Sequence, residues 1–332
     1  MARVDPCGVT AGRAPVIMSF ELILPFLRPI AHLIQDPHIT EIMVNGSGRV
    51  FVERNGRLEA VVDVAVREQN LRVAVRNLAR VLGDDVSEER PLLDSRLPDG
   101  SRVAAALPPV SLNGTTLTIR KFQSRHFSAD ELMRIGTLSR EQLDTVRRSI
   151  EARDNILISG GTGTGKTTLL NALAAFLPAD DRLVVIEDTA ELQLEASNLV
   201  RFEARREQVG VSAVTIRDLL RATLRHRPDR ILLGEVRGGE AFDLLQALNT
   251  GHSGTLSTIH ANSAEQALTR FASCVMQAGV DVPYQAVRLG IAECLQLLVH
   301  LERRHGQRVV RQVVRVRRYD ATADRYALEE AS

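Results

Sequence analysis

At 332 residues, 44% hydrophobic and with a formal net charge of +1, the chain is long enough for two domains. Its near-neutral balance excludes wholesale attraction to nucleic acid or an anionic membrane, and the absence of Trp with 4% aromatics excludes a base-stacking platform for single strands. Cysteines stand only at positions 7, 274 and 294, with no C-x-x-C pair, so neither a zinc site nor a disulfide framework is indicated, and reduced thiols in the cytosol are the simplest account.

Residues 1–17 read as a loose extension, and Met18 is a candidate start because ordered patterning begins with "MSFELILPFL". The apolar stretch "VIMSFELILPFLRPIAHLI" is interrupted by Glu21, Pro25, Arg28, Pro29 and His32, which rules out a membrane span or signal peptide. Residues 40–62 alternate short apolar runs with the turn signals "NGSG" and "NG", as in a β-meander. Leu71, Val75, Leu78 and Leu82 then follow helical spacing, and Gly83 marks the stop. "RLPDGSRVAAALPPV" and "TTLTIRKF" read as further strands, so residues 18–120 form a small α+β domain. A polar linker follows over 121–136. From 137 to 332, strands such as "NILISG", "RLVVIED", "RILLGE" and "TLSTIHA" alternate with helices. That alternation predicts an α/β domain with a parallel sheet covered by helices. The arginine-rich "RVVRQVVRVRR", 308–318, reads as a solvated edge strand.

"GGTGTGKTT" fits G-x-x-x-x-G-K-[ST] between an apolar strand and a helix. Gly160, Gly161, Thr162, Gly163, Thr164 and Gly165 supply a loop whose backbone N–H groups can turn inward around phosphate oxygens. The helix that begins near Lys166 adds its positive end, and Thr168 follows in its first turn. Lys166 can reach the β- and γ-phosphates of ATP, and the Thr167 hydroxyl can ligate Mg²⁺. Lys121 and Lys166 are the only lysines in an arginine-rich chain, and a slim stem suits the loop better than a planar guanidinium. No G-x-G-x-x-G runs through this segment, so a Rossmann site is excluded.

Three acids end apolar runs that follow the loop. Leu183–Ile186 delivers Glu187 and Asp188, and Ile231–Leu233 delivers Glu235. Strand C-termini are where open α/β sheets bind ligands. An attacking water needs positioning and a proton acceptor, and a metal needs oxygen ligands. Glu235 is accordingly expected on the water and Glu187 in the magnesium shell, supported by Asp188. "NTGHSGTLSTIHAN" holds His252 and His260; either can contact a γ-phosphate or serve the fold, and spacing alone leaves both readings open.

The segments "LRHRPDRILLGEVRGGEAFD", "VVIEDTAELQL" and "TGHSGTLSTIHAN" resemble those of the type II/type IV secretion-system ATPases, a likeness that covers the chain from about residue 20. "GEVRGGEA" resembles the branch with type IV secretion, conjugative-transfer and tight-adherence pilus ATPases. "ITEIMVNG", "RLPDGSRV" and "LTIRKF" look most like the CpaF type, and the start and length like the TrbB type. The resemblance implies a RecA-like ATPase core behind a mobile N-terminal domain. It also implies a homo-hexameric ring at the cytoplasmic face of the inner membrane, partnered by platform or channel proteins. Lys166 and Thr167 match the phosphate loop of this family, Glu187 and Asp188 its acidic box, Glu235 its Walker B glutamate and His260 its histidine box. Arg102 in "GSRV" and Arg120 in "TIRK" fall where members supply arginines to bound nucleotide. The tetracysteine zinc insert of many extension ATPases is absent from this sequence. The expected function is an ATP- and Mg²⁺-dependent motor for secretion, conjugation or pilus assembly, without direct nucleic-acid binding. A nucleic-acid-translocating RecA-type ATPase would instead show DNA-stimulated, salt-sensitive hydrolysis. A non-hydrolysing nucleotide-binding scaffold would bind tightly and turn nothing over.

Overall fold

The computed structural model describes residues 24–54, 56–122, 127–207, 211–304 and 306–331. The extension at 1–17 and the candidate start at Met18 lie outside the described residues. The chain divides into two compact units, Met1–Gln123 and Ser124–Ser332.

In the first unit, the short helix α1 (Ala31–Gln35) precedes the meander β1 (Ile39–Val44), β2 (Arg49–Arg54) and β3 (Arg57–Ala65). Helix α2 (Glu68–Val81) leads to β4 (Leu92–Arg96), β5 (Arg102–Ala106) and β6 (Thr116–Arg120). The strands form an antiparallel sheet in the order β3-β2-β1-β6-β5-β4. Alternation puts Ile42, Val52, Val103 and Ile119 into one core with Leu71, Val75 and Leu78, the apolar stripe of α2. Glu68 ties the first turn of α2 to the start of β6: its carboxylate accepts from the Thr115 backbone N–H at 2.7 Å and from the Thr115 hydroxyl at 2.8 Å.

The second unit begins with α3 (Ala129–Arg134) and α4 (Arg140–Glu151). It continues with β7 (Ile156–Gly160), α5 (Lys166–Ala174), β8 (Leu183–Glu187), β9 (Leu199–Glu203), α6 (Ile216–Thr223) and β10 (Arg230–Val236). Then come α7 (Glu240–Asn249), β11 (Leu256–His260), α8 (Ala264–Met276), α9 (Tyr284–Cys294), β12 (Leu297–Arg304), β13 (Gln307–Asp320) and β14 (Arg325–Glu330). Among the described residues the sheet runs β14-β13-β12-β7-β11-β10-β8-β9. β12 through β9 are parallel neighbours, while β13 and β14 join antiparallel. The two faces bury different residues of the same strands. Ile156, Ile158, Val185 and Leu232 pack under α3, α4 and α5. Leu157, Ile186, Ile231 and Leu233 pack under α6 to α9. Buried on both faces, these strands read as unbroken apolar runs.

Two expectations are corrected. The stretch read as a polar linker carries α3, whose Ser128 and Glu131 form a reciprocal capping box, and Ala129 and Leu132 enter the core of the second unit. The arginine-rich segment is not an edge: β13 lies between β12 and β14, and β14 takes the outer place.

Candidate functional site

Parallel pairing brings the predicted residues to one end of the sheet. His260 pairs with Gly160, Leu301 with Gly160 on the other side, and Leu233 with Ile186. The ends of β7, β11, β10 and β8 therefore stand side by side, at the C-terminal edge where such sheets bind ligands.

β7 ends in the phosphate loop. Gly165 sits at φ 92°, in the left-handed region, and serves as N-cap for α5, so the backbone turns sharply into the helix without a side-chain clash. Thr164 closes the loop on itself by donating to the Gly161 carbonyl at 2.9 Å. Thr167 and Thr168 are half-buried in the first turn of α5, and the Thr167 hydroxyl makes no hydrogen bond among the described residues. Arg308 on β13 donates from Nε to the Gly163 carbonyl at 3.0 Å.

Lys166 is buried, and its Nζ donates to the carbonyls of Gly160 and Gly161 at 3.1 Å each. It also lies 3.2 Å from His260 Nδ1. Burial lowers the lysine pKa, and the nearby Glu235 charge opposes that shift. The His260 pKa is lowered as well, first by burial, against the pull of Glu235 and with a further push from Lys166. A neutral imidazole can accept from the ammonium at Nδ1, which leaves the ring proton on Nε2. Nε2 lies 2.8 Å from Glu235 Oε1. Oε1 itself is buried and accepts no hydrogen bond from the described residues.

Glu235 owes its direction to a β-bulge. The pairing of β10 with β11 slips between Leu233 and Val236, and the Gly234 carbonyl accepts from the Thr258 hydroxyl at 2.7 Å. Its second oxygen, Oε2, accepts from Arg237 Nε at 2.9 Å and Nη2 at 2.8 Å, while Arg237 Nη1 donates to Asp188 Oδ2 at 3.0 Å.

Glu187 is 3% exposed and occupied differently from Asp188. Its Oε1 accepts from the backbone N–H groups of Glu191 at 2.9 Å and Leu192 at 2.8 Å, and Oε2 lies 3.7 Å from Arg201 Nη2. Burial raises its pKa, and the two backbone donors oppose the rise. One Glu187 oxygen thus braces the loop after β8, and the other faces the Arg201 guanidinium.

His260 is in the site and His252 is not: His252 Nδ1 faces the Ala247 carbonyl at 3.2 Å, behind the end of α7. Arg102 and Arg120 belong to the first unit, where they oppose each other across β5 and β6. Arg96 and Glu41 extend the same row across β4 and β1. Neither Arg102 nor Arg120 closes an ion pair among the described residues. Sequence reasoning missed Arg237 and Arg308. The first had a usable signal, since positions i and i+2 at a strand end share a face with Glu235. The second had none, because 145 positions separate it from Gly163.

No helix among the described residues is long and apolar enough to cross a membrane. Residues 27–329 match the family described as type II/IV secretion system protein. The conjugal transfer protein TrbB of Rhizobium radiobacter is 39% identical over 290 residues, covering 86% of each chain. The type IV secretion system protein PtlH of Bordetella pertussis is 39% identical over 301 residues, covering 83% of this chain and 89% of its own. Two solved structures share the fold at lower identity. The ATPase DotB of Legionella pneumophila aligns at TM-score 0.59 and 20% identity, over 86% of this chain and 79% of its own. The pilus retraction motor PilT with bound ADP aligns at TM-score 0.58 and 20% identity, over 93% and 82%. With residues 27–329 matching the family and relatives 39% identical over most of their length, this RecA-like core with its smaller α+β unit belongs to the type II/IV secretion-system family of ATPases.

Proposed function

We propose that this chain is the ATP-hydrolysing motor of a bacterial type IV secretion or conjugation machine. It works as a homo-hexamer at the cytoplasmic face of the inner membrane, against platform or channel proteins. The observation that carries the reading is the chain of contacts Lys166–His260–Glu235 at the phosphate loop. Lys166 is held by two carbonyls and an imidazole. The β- and γ-phosphates of ATP offer stronger, charged acceptors, so the ammonium exchanges partners. That exchange frees His260 to meet the γ-phosphate and to register its loss. Glu235 Oε1, buried and lacking a donor, takes the attacking water as its hydrogen-bond partner and orients it in line.

The residues present fit a magnesium ion. Thr167 has an uncommitted hydroxyl at the loop, and Asp188, held by Arg237, and Glu187, facing Arg201, would add hard oxygen donors at the end of β8. When bound, the ion neutralises charge on the phosphates. As the family resemblance implies, Arg102 and Arg120, cross-strand neighbours with Glu41 next in their row, would supply positive charge to bound nucleotide. The first unit is the N-terminal domain in this reading, and the second, α3 included, the ATPase domain.

Turnover per subunit, measured with MgATP across a range of protein concentration and alongside light scattering, tests the ring. Specific activity is expected to rise in step with assembly. Equal activity in dispersed and assembled protein would remove the ring from the mechanism, and ATP binding without turnover at any concentration would favour a scaffold.

A further inference from the structure

The two oxygens of Glu235 are in different states. Oε2 receives both Nε and Nη2 of Arg237. Oε1 is buried, faces His260 and receives no hydrogen bond from the described residues. A carboxylate that gives one oxygen to a guanidinium fork has only the other left for a water. A buried acceptor without a donor is itself unfavourable, and a water with an O–H to give removes that penalty.

Arg237 is in turn fixed from two directions. Its third nitrogen, Nη1, is held by Asp188 at the end of β8. Its backbone N–H is held by Glu240 Oε1, which also accepts the Gly238 N–H at 2.7 Å. The guanidinium therefore spans the ends of β10 and β8 with its plane set. Its side chain is 53% exposed, and half-exposed ion pairs contribute little to folding. Three committed N–H groups on two acids are better explained by orientation than by stability.

We propose that Arg237 is a positioning residue that divides the work of the Glu235 carboxylate: it holds Oε2 and thereby presents Oε1 to the attacking water, with Asp188 as its anchor. The proposal rests on the reading of Glu235 as the water-orienting acid. A lysine at 237 offers one ammonium in place of a planar fork, so it cannot hold Oε2 twice and Asp188 once in the same geometry.

The test is a kinetic cycle on the full-length assembled protein, with MgATP, using Arg237→Ala, Arg237→Lys, Glu235→Gln and the Arg237→Ala/Glu235→Gln double variant. Binding of a non-hydrolysable ATP analogue, by calorimetry, verifies that each variant is folded. Arg237→Ala is expected to lower kcat by roughly 10²-fold, the scale of a misplaced catalytic group. KM should stay within about threefold, as for a group used only in the chemical step. Arg237→Lys should recover only part of the loss. In the Glu235→Gln background, Arg237→Ala should cause no further loss, because the carboxylate it orients is gone. Equal fold-losses in both backgrounds would overturn the proposal and place Arg237 directly on the phosphates. A raised KM at unchanged kcat, or no change at all, would overturn it as well. Wild-type turnover by Glu235→Gln alone would instead remove the underlying reading of Glu235, an outcome visible without any change at Arg237.

Discussion

Glu235→Gln preserves shape and removes the charge on which the proposed water depends. ATP binding is expected to be unchanged and turnover lower by roughly 10²–10⁴-fold, read by phosphate release; wild-type turnover would take Glu235 out of the chemistry. Its neighbour Gly234 is held to glycine by space. An added Cβ would meet Glu187 Cγ at 3.1 Å, and Glu187 cannot retreat while its Oε1 holds two backbone N–H groups. Gly234→Ala is expected to lower stability by about 1–3 kcal/mol. Chemical denaturation should show an earlier midpoint, with turnover falling alongside as the loop after β8 loosens; an unchanged midpoint would show that Glu187 gives way freely. The individual acids were legible because each ends an apolar run. Their division of roles was not. Nothing in "VVIEDTAEL" tells that Glu187 turns back onto the N–H groups of Glu191 and Leu192 while Asp188 reaches across to Arg237. Side-chain partners fifty or a hundred positions apart are set by strand order, which residue types do not encode.

The elements follow the same division. Strands β7, β8, β10 and β11 were legible as runs of Ile, Val and Leu between turn signals, and α2 as an apolar stripe. Helix α3 was not, because six residues make fewer than two turns and only Ala129 and Leu132 are buried. The place of β13 depended on β14, whose "RYALEE" is too polar to announce a strand. One residue at the opposite end of the sheet from the site joins three elements. Asn155, 4% exposed, donates to the Cys294 carbonyl at 2.7 Å and accepts from the Thr255 N–H at 2.9 Å, while its own N–H goes to Gln296 at 2.9 Å. It fixes the entry of β7 against β11 and the end of α9. Asn155→Ala strands a buried N–H and a buried carbonyl, at about 1–3 kcal/mol for each. Equilibrium unfolding should show that loss, while ATP binding at the far end of β7 stays close to wild type. A loss below about 0.5 kcal/mol would mean that water replaces the amide.

For the whole molecule, composition set the class: a near-neutral chain with 44% hydrophobic residues builds one core in the first unit and two, on either face of the sheet, in the second. Buried imidazoles tie its stability to pH. His300, 1% exposed on β12, lies 2.9 Å from the Ser159 hydroxyl, and burial lowers its pKa below the ordinary 6.5. The unfolded chain takes up that proton near pH 6.5 and the folded chain only at lower pH. The unfolded state therefore binds more protons across this window, and stability falls as pH drops through it, by at most about 1.4 kcal/mol per pH unit for one group. His260, also lowered, adds in the same direction. Thermal midpoints between neutral pH and pH 5 should fall, and less steeply in His300→Gln, which keeps a partner for Ser159; identical slopes would assign the acid loss elsewhere. The contact between Arg308 and the Gly163 carbonyl has a mechanical meaning. Arg308 stands on the strand that carries the last hairpin, so the phosphate loop is sewn by one guanidinium to the final stretch of chain. Linkage is reciprocal: if phosphate binding disturbs that stitch, a load applied to the hairpin changes the hold on phosphate by the same free energy. The closing strands of the sheet are in that sense a strain gauge, reading out the occupancy of a loop that lies 145 positions earlier in the sequence.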